Sequence, residues 1–381
     1  MKLTSEEARS RLEPVFQENF SRYGELGAAL SIWQNGEPVV ELHGGYRDGR
    51  REQLWTEDTL VLVWSATKGI GSACLLHALQ ENKIDLSRKV VEFWPEFGQN
   101  GKGDITISIL MSHSAGLCAV DESVDILDHP AVIGALERQG PLWEPGTAHG
   151  YHARTFGFLI DELHRRITDV SISTYWRKTF AEPLDLDFWI GLPNELNSRV
   201  ATMYAAKAGG RTEPAQFYRD LATTGTLQRK VFSSPHGLNS VSSMNKPEVR
   251  ALPIVSLGGI GTATSLAKFY GLLANNGVID GRRYFSTETM ERMSRALADG
   301  PDRVFEISTA FSAGFMMDSK AGERRIFGPG VSSFGQPGAG GSHAFADPQN
   351  RVGFGYVMNQ MEQSVLPTQK ALRLVSSIYQ I

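Results

Sequence analysis

Val61-Leu62-Val63-Trp64-Ser65-Ala66-Thr67-Lys68 is an apolar run that gives way to a serine and a lysine three residues apart. The stretch from Ser65 to about Asn82 reads as a helix. Residues three apart on a helix share a face, one turn apart. The Lys68 amine therefore stands beside the Ser65 hydroxyl, at the end where backbone N–H groups lack intrahelical acceptors. A serine hydroxyl is a weak nucleophile until a base takes its proton, and a desolvated, neutral lysine can be that base. Alone, the pattern also spells a helix cap followed by a solvated lysine. Two further stretches, in the order this chemistry requires, argue for the base.

The chain has 381 residues, 41% hydrophobic and 21% charged, which suits one large or two medium globular domains. Its net charge is -4, with acids and bases scattered and no basic stripe, so neither nucleic acid nor an anionic membrane is an expected partner. The first residues, Met1 to Arg9, lack the apolar core of a secretory signal. No apolar run is long enough to span a bilayer. Two cysteines, Cys74 and Cys118, are too few for a disulfide framework and read as buried thiols. A cytoplasmic setting is the expectation.

Thr4 and Glu7 form a capping box, and Leu12, Phe16 and Phe20 follow at helical spacing, with Pro14 expected to kink this helix or mark a second start. Ala28–Trp33 and Pro38–Tyr46 read as a hairpin around Asn35-Gly36. Helices are expected at Ile105–Met111, Ala131–Arg138, Phe156–Ile167, Ile172–Phe180 and Leu266–Asn275, whereas Ala205–Val249 looks least structured. Strands return at Phe311–Met317, Gly341–Ala346 and Val352–Met358, the last two joined by a turn at Asp347-Pro348-Gln349-Asn350. A helix over Gln363–Tyr379 closes the chain. Strands at both ends and helices between exclude a parallel β-α-β sheet. They predict an α+β fold: an antiparallel sheet built from both termini, flanked by helices, with a helical insertion. Residues 1–64 and 268–381 would form the sheet-bearing part and 65–267 the helical part of one catalytic unit.

The second stretch is Pro145-Gly146-Thr147-Ala148-His149-Gly150-Tyr151-His152-Ala153, a turn that delivers a tyrosine ahead of a new helix. Beside a lysine, a phenolate can be held charged and relay protons. The third is Phe334-Gly335-Gln336-Pro337-Gly338-Ala339-Gly340-Gly341-Ser342, whose small residues let a strand edge approach a ligand. A backbone N–H there can face that of Ser65 across a developing oxyanion. With these in place, the chain resembles the serine β-lactamase and penicillin-binding-protein superfamily, and within it the family VIII carboxylesterases. Ser65-x-x-Lys68 matches the first motif of that group, Tyr151-His152-Ala153 falls where relatives have Tyr-x-Asn, and Gln336 onward matches the third motif. Leu110-Met111-Ser112-His113-Ser114-Ala115-Gly116-Leu117 and Gly261-Thr262-Ala263-Thr264 add further matches.

The resemblance implies a serine hydrolase working through an acyl-Ser65 intermediate. Lys68 and Tyr151 would move the protons, the N–H groups of Ser65 and Ala339 would hold the oxyanion, and Gln336, Gly338, His152, Trp143 and Trp189 would contact substrate. Phe188 is a further candidate for an apolar acyl pocket, and His343 and Asp121-Glu122 for the cleft border. Two departures bear on the substrate. Gln336 replaces the lysine, histidine or tryptophan of relatives, and Ala153 replaces an asparagine. Both changes point away from β-lactams and toward a small, uncharged ester. β-Lactamase, D-amino-acid peptidase, amide hydrolase and acyltransferase share the nucleophile and stay open. A non-catalytic acyl-ligand binder would not require Ser65, Lys68 and Tyr151 together. An α/β-hydrolase would need G-x-S-x-G, and Gly340-Gly341-Ser342-His343-Ala344 ends in alanine. His149 and His152 lack a third metal ligand nearby, so no metal or other cofactor is expected.

Overall fold

The computed structural model describes residues 2–206, 211–322 and 325–380. Its main sheet has eight antiparallel strands. From one edge they run Glu37–Gly45, Gly27–Gln34, Val352–Met358, His343–Asp347, Phe334–Pro337, Met316–Met317, Ser308–Phe311 and Ala298–Pro301. The N-terminal hairpin thus docks on the last strand of the chain, with Ala28 opposite Met358 and Gln34 opposite Val352. Its turn is the expected one. Asn35 and Gly36 both take positive φ, 58° and 84°, which matches the twist of the flanking strands.

The first helix spans Ser5–Ser21 without a second start. Thr4 and Glu7 cap it reciprocally, each accepting the other's backbone N–H at 3.2 Å. Pro14 is tolerated because the carbonyl it leaves without a donor is that of exposed Ser10, where water serves. The expected strand Phe311–Met317 is instead two strands folded back on each other, since Gly314 takes φ 85° and Ser312 N–H bonds the Phe315 carbonyl at 2.9 Å. The closing helix begins at Gln369, not Gln363. The buried Glu213 carboxylate takes the Val365 and Leu366 N–H groups at 2.9 and 2.7 Å, holding that segment in a turn. Residues 205–249 carry four short helices, Ala215–Ala222, Leu227–Ser233, Val241–Met244 and Pro247–Arg250, while Lys207 to Gly210 lie outside the described residues.

Helix Ala263–Ala274 lies against the sheet and crosses the expected subdomain boundary at 267/268. It approaches closely because strand Val352–Met358 carries Gly353 and Gly355 on that face. A Cβ at either would stand 2.5 Å from a helix carbonyl, that of Ala267 or Ala263. Between this layer and helix Phe156–Thr168 runs helix Thr67–Glu81, buried on nearly every side. That environment turns the Ser65–Lys68 pair into a site. Among the described residues, no helix is long and apolar enough to cross a membrane.

The terminal helices are tied to the sheet by a buried ion pair. Lys370 Nζ lies 3.3 Å from Glu25 Oε2, and the Tyr356 hydroxyl donates to the same oxygen at 2.7 Å. Both charged side chains are excluded from solvent. Breaking such a pair strands a charge, so Lys370→Met is expected to cost on the order of 3–5 kcal/mol, read as a lower urea midpoint. Burial raises the Glu25 carboxyl. The folded state of the variant then holds a proton that the unfolded chain releases, so the loss should shrink as the pH falls toward the carboxylate range.

Candidate active site

Ser65 does not open the long helix directly. It sits in a tight turn, Trp64–Ala66, that leads into helix Thr67–Glu81. Trp64 takes φ 49°, an uncommon conformation for a bulky residue. The turn is clamped from both sides. Thr67 Oγ1 donates to the Trp64 carbonyl at 2.5 Å and accepts the Gly259 N–H at 2.8 Å, while Val63 N–H bonds Gly259 O at 2.9 Å. The one-turn spacing then places Lys68 Nζ 3.0 Å from Ser65 Oγ.

Lys68 is fully buried, and Nζ also donates to the Ser256 carbonyl at 2.6 Å. Desolvation holds the amine well below the usual lysine range, and no carboxylate offsets it. The neutral form suits these partners: one N–H for the Ser256 carbonyl and a lone pair for the Ser65 hydroxyl. Ser65 itself keeps a small opening to solvent, at 9% exposure.

Tyr151 stands on the other side of the pair, close enough for the Ser65 hydroxyl to act on its phenol. Lys68 Nζ lies 5.1 Å from its ring centroid. Burial and nearby Asp302 push the phenol up, against the pull of Ser65. Here the structure differs from the expectation of a resident phenolate. Burial works against the cation that would hold a phenolate, so the resting phenol keeps its proton.

The segment Leu110–Leu117 serves as the bracket for Tyr151. His113, at φ 60°, accepts the Gly150 N–H on its carbonyl at 3.1 Å and the His152 N–H on Nδ1 at 3.0 Å, fixing the residues on either side of Tyr151. Its ring stacks on Phe156 at 4.3 Å. His152, expected at the substrate, has both ring nitrogens occupied: Nδ1 bonds Gly150 O at 2.7 Å and Nε2 accepts the Leu117 N–H at 3.0 Å. Fully buried and pushed down to about 4 by desolvation, it is a neutral brace with no ring nitrogen left for a ligand.

The third stretch completes the wall. Strand Phe334–Pro337 brings Gln336 Nε2 to 3.3 Å from the Tyr151 hydroxyl, and Gln336 Oε1 is buried without a partner. Gly338 must lack a side chain, because a Cβ there would collide with the Val63 carbonyl beside the Ser65 turn. Among the described residues no backbone acceptor takes the N–H of Ala339, the residue after Gly338.

The aromatic candidates separate. Trp143 is buried near Tyr151, its Nε1 bonded to Ala148 O at 2.9 Å and its ring edge-on to His152. Trp189 is elsewhere, under the Arg177 guanidinium at 3.8 Å and bonded to Asp187 at 2.8 Å. Phe188 packs on Trp176 and against Gly259 and Gly261, as core. Alternation along strand Phe188–Ile190 buries Phe188 and Ile190 and leaves Trp189 half-buried on the other face. His343 bonds Ile326 O at 2.7 Å among Phe327, Phe345 and Phe354, inside the sheet layer. Asp121 pairs with Lys230 and Glu122 with Arg138 at the surface. His149 bonds Thr309 at 3.0 Å, so it shares no ligand position with His152. Two contributors carried no local signal in the sequence, the Ser256 carbonyl and Asp302, while His113 lay within the matched Leu110–Leu117 stretch without a role assigned to it.

Comparison with known proteins shows the family and the fold. The Beta-lactamase family model matches residues 12–376. The esterase/beta-lactamase LipL of Mycobacterium tuberculosis is 31% identical over 366 residues, 92% of this chain and 80% of that protein. A penicillin-binding protein homologue from Caulobacter crescentus superposes with a TM-score of 0.88 at 31% identity, covering 100% of this chain and 99% of that one. A family VIII carboxylesterase superposes with a TM-score of 0.86 at 32% identity, with the same coverage.

Proposed function

The chain belongs to the Beta-lactamase family and is a serine hydrolase of that superfamily, and on that premise we propose that it is a carboxylesterase acting on short-chain esters. The observation that carries the ester reading is Gln336. An uncharged amide stands 3.3 Å from the Tyr151 hydroxyl, where a substrate carboxylate would need a cation. Similarity to a family VIII carboxylesterase and to an esterase/beta-lactamase supports it. The two buried free thiols, Cys74 and Cys118, fit a reducing, cytoplasmic setting for the same proposal.

In this reading Ser65 Oγ attacks the ester carbonyl as its proton passes to the neutral Lys68 amine. The oxyanion forms against the N–H groups of Ser65 and Ala339, each such donor supplying on the order of 3 kcal/mol to the transition state. Collapse breaks the bond to the leaving alcohol, which takes its proton from the Tyr151 phenol. The Lys68 ammonium returns a proton to Tyr151, and both groups are reset. Water then attacks acyl-Ser65 by the reverse relay, and the products are one carboxylic acid and one alcohol. Trp143, Gln336 and Gly338 border the acyl site.

The test compares kcat/KM for a short nitrophenyl ester, a long one and a chromogenic cephalosporin. The short ester is expected to lead the cephalosporin by about 100-fold or more, because a charged group buried without its partner is strongly rejected. The reverse ranking would make the protein a β-lactamase.

A further inference from the structure

Asp302 is buried at 2% exposure and lies one layer behind the phenol. Its Oδ1 accepts three backbone N–H groups, those of Tyr151 at 3.3 Å, Val304 at 2.8 Å and Phe305 at 3.0 Å. Its Oδ2 accepts the Thr309 hydroxyl at 2.9 Å, and Thr309 Oγ1 lies 3.0 Å from His149 Nε2. Two of these partners bear on the site. One is the backbone of Tyr151 itself. The other belongs to Phe305, whose ring stacks on the Tyr151 ring at 5.0 Å and 22°. Thr309 lies in strand Ser308–Phe311, and Phe311 faces Tyr151 at 6.3 Å and His113 at 4.5 Å. Two segments that surround the phenol, the loop carrying Tyr151 and the hairpin that runs through Asp302 to Phe311, therefore converge on one carboxylate.

We propose that Asp302 is a positioning residue for Tyr151, clasping the backbone that carries the phenol together with the ring that stacks on it. The inference rests on the reading of Tyr151 as the proton relay. A carboxylate taken out of water is stable only when its lone pairs are filled. The four donors here do that, and by satisfying it they lock Tyr151 and Phe305 in one mutual arrangement. Asp302 touches neither Ser65 nor the opening to solvent, so it acts through Tyr151. A displacement of the phenol by an ångström is enough to slow proton transfer substantially.

A hairpin closed for stability alone would show many of the same bonds, so the test is a double-mutant cycle read at Ser65. The readout is the rate of covalent labelling of Ser65 by an alkyl ester, whose alcohol leaves only with the Tyr151 proton, followed by intact mass, with urea midpoints taken in parallel. Asp302→Ala is expected to slow labelling by about 10- to 100-fold. Asp302→Asn, which keeps an oxygen for the three N–H groups, should stay within about threefold of wild type. In a Tyr151→Phe background, where no phenolic proton remains to be placed, Asp302→Ala should add less than about twofold. If Asp302→Ala does not fold, Thr309→Val carries the cycle. It removes one donor from Oδ2 and should slow labelling several-fold only when Tyr151 is present. Losses that multiply in the Tyr151→Phe background would overturn the positioning role and leave Asp302 a structural residue. Wild type that is not labelled at Ser65 would instead overturn the serine-nucleophile reading beneath it.

Discussion

Ser65→Ala should lower ester turnover by on the order of 10⁵- to 10⁶-fold, with no acyl adduct detectable by intact mass. The hydroxyls of Thr67 and Ser256 beside it are committed elsewhere. Thr67 Oγ1 is committed to the Trp64 carbonyl and the Gly259 amide. Ser256 Oγ is occupied by the Gly157 amide and the Arg154 carbonyl. The variant should fold as wild type, because Ser65 contributes a hydroxyl to Lys68 and Tyr151 but little packing. Its urea midpoint should stay close to that of the parent. A Ser65→Ala protein that still acquires an acyl group, or retains most of its turnover, would remove the basis of the mechanism.

Lys68→Met should slow acylation by about 10²- to 10⁴-fold, the range a positioned general base supplies. Lys68→Arg should be no better at any pH, since a guanidinium does not give up its proton in proteins. The wild-type rate should rise as pH climbs through the depressed Lys68 pKa and then level off. Stability follows the same proton with a definite sign. The unfolded chain carries an ordinary lysine, titrating near ~10.4, whereas the folded protein holds Lys68 well below that. Between the two values the unfolded state binds more protons, so stability rises with pH over that window. Below the folded pKa the full cost of the buried amine is present. Wild type should therefore gain on Lys68→Met, in urea midpoint, as pH is raised from 7 toward 10. A difference independent of pH would mean that Lys68 titrates alike in both states.

The arrangement accounts for why the residues between the motifs matter. In the proposed mechanism Lys68 works because Thr67–Glu81 is enclosed by helix Phe156–Thr168, helix Ile172–Trp176 and strand Phe334–Pro337, with Gly69 set against Tyr270 of helix Ala263–Ala274. In the same proposal Tyr151 is held by His113, which fixes its neighbours, and by Asp302, which takes its amide. The first is a matter of dielectric and the second of position. A substitution in either layer should alter the chemistry without touching substrate.

What could be read from the residues was local. The Asn35-Gly36 turn, the Thr4–Glu7 cap and the last strand, Val352–Met358, follow from short-range sterics and periodicity that any such chain obeys. The Ser65–Lys68 contact is of the same kind, since one helical turn sets it almost regardless of surroundings. The motifs also named Tyr151 and Gln336 as members of the site. Their distances were beyond reach, because 86 and 271 residues of chain separate them from Ser65 and no periodicity carries that far. Trp189, Phe188 and His152 illustrate the limit. Each has the chemistry of a site residue, but strand alternation or a prior hydrogen bond turns it elsewhere. Tertiary structure alone decided that the lysine is dry, that the phenol is neutral, and that a carboxylate far along the chain stands behind it. These are properties of the space between segments, and a proton's affinity is set by that space.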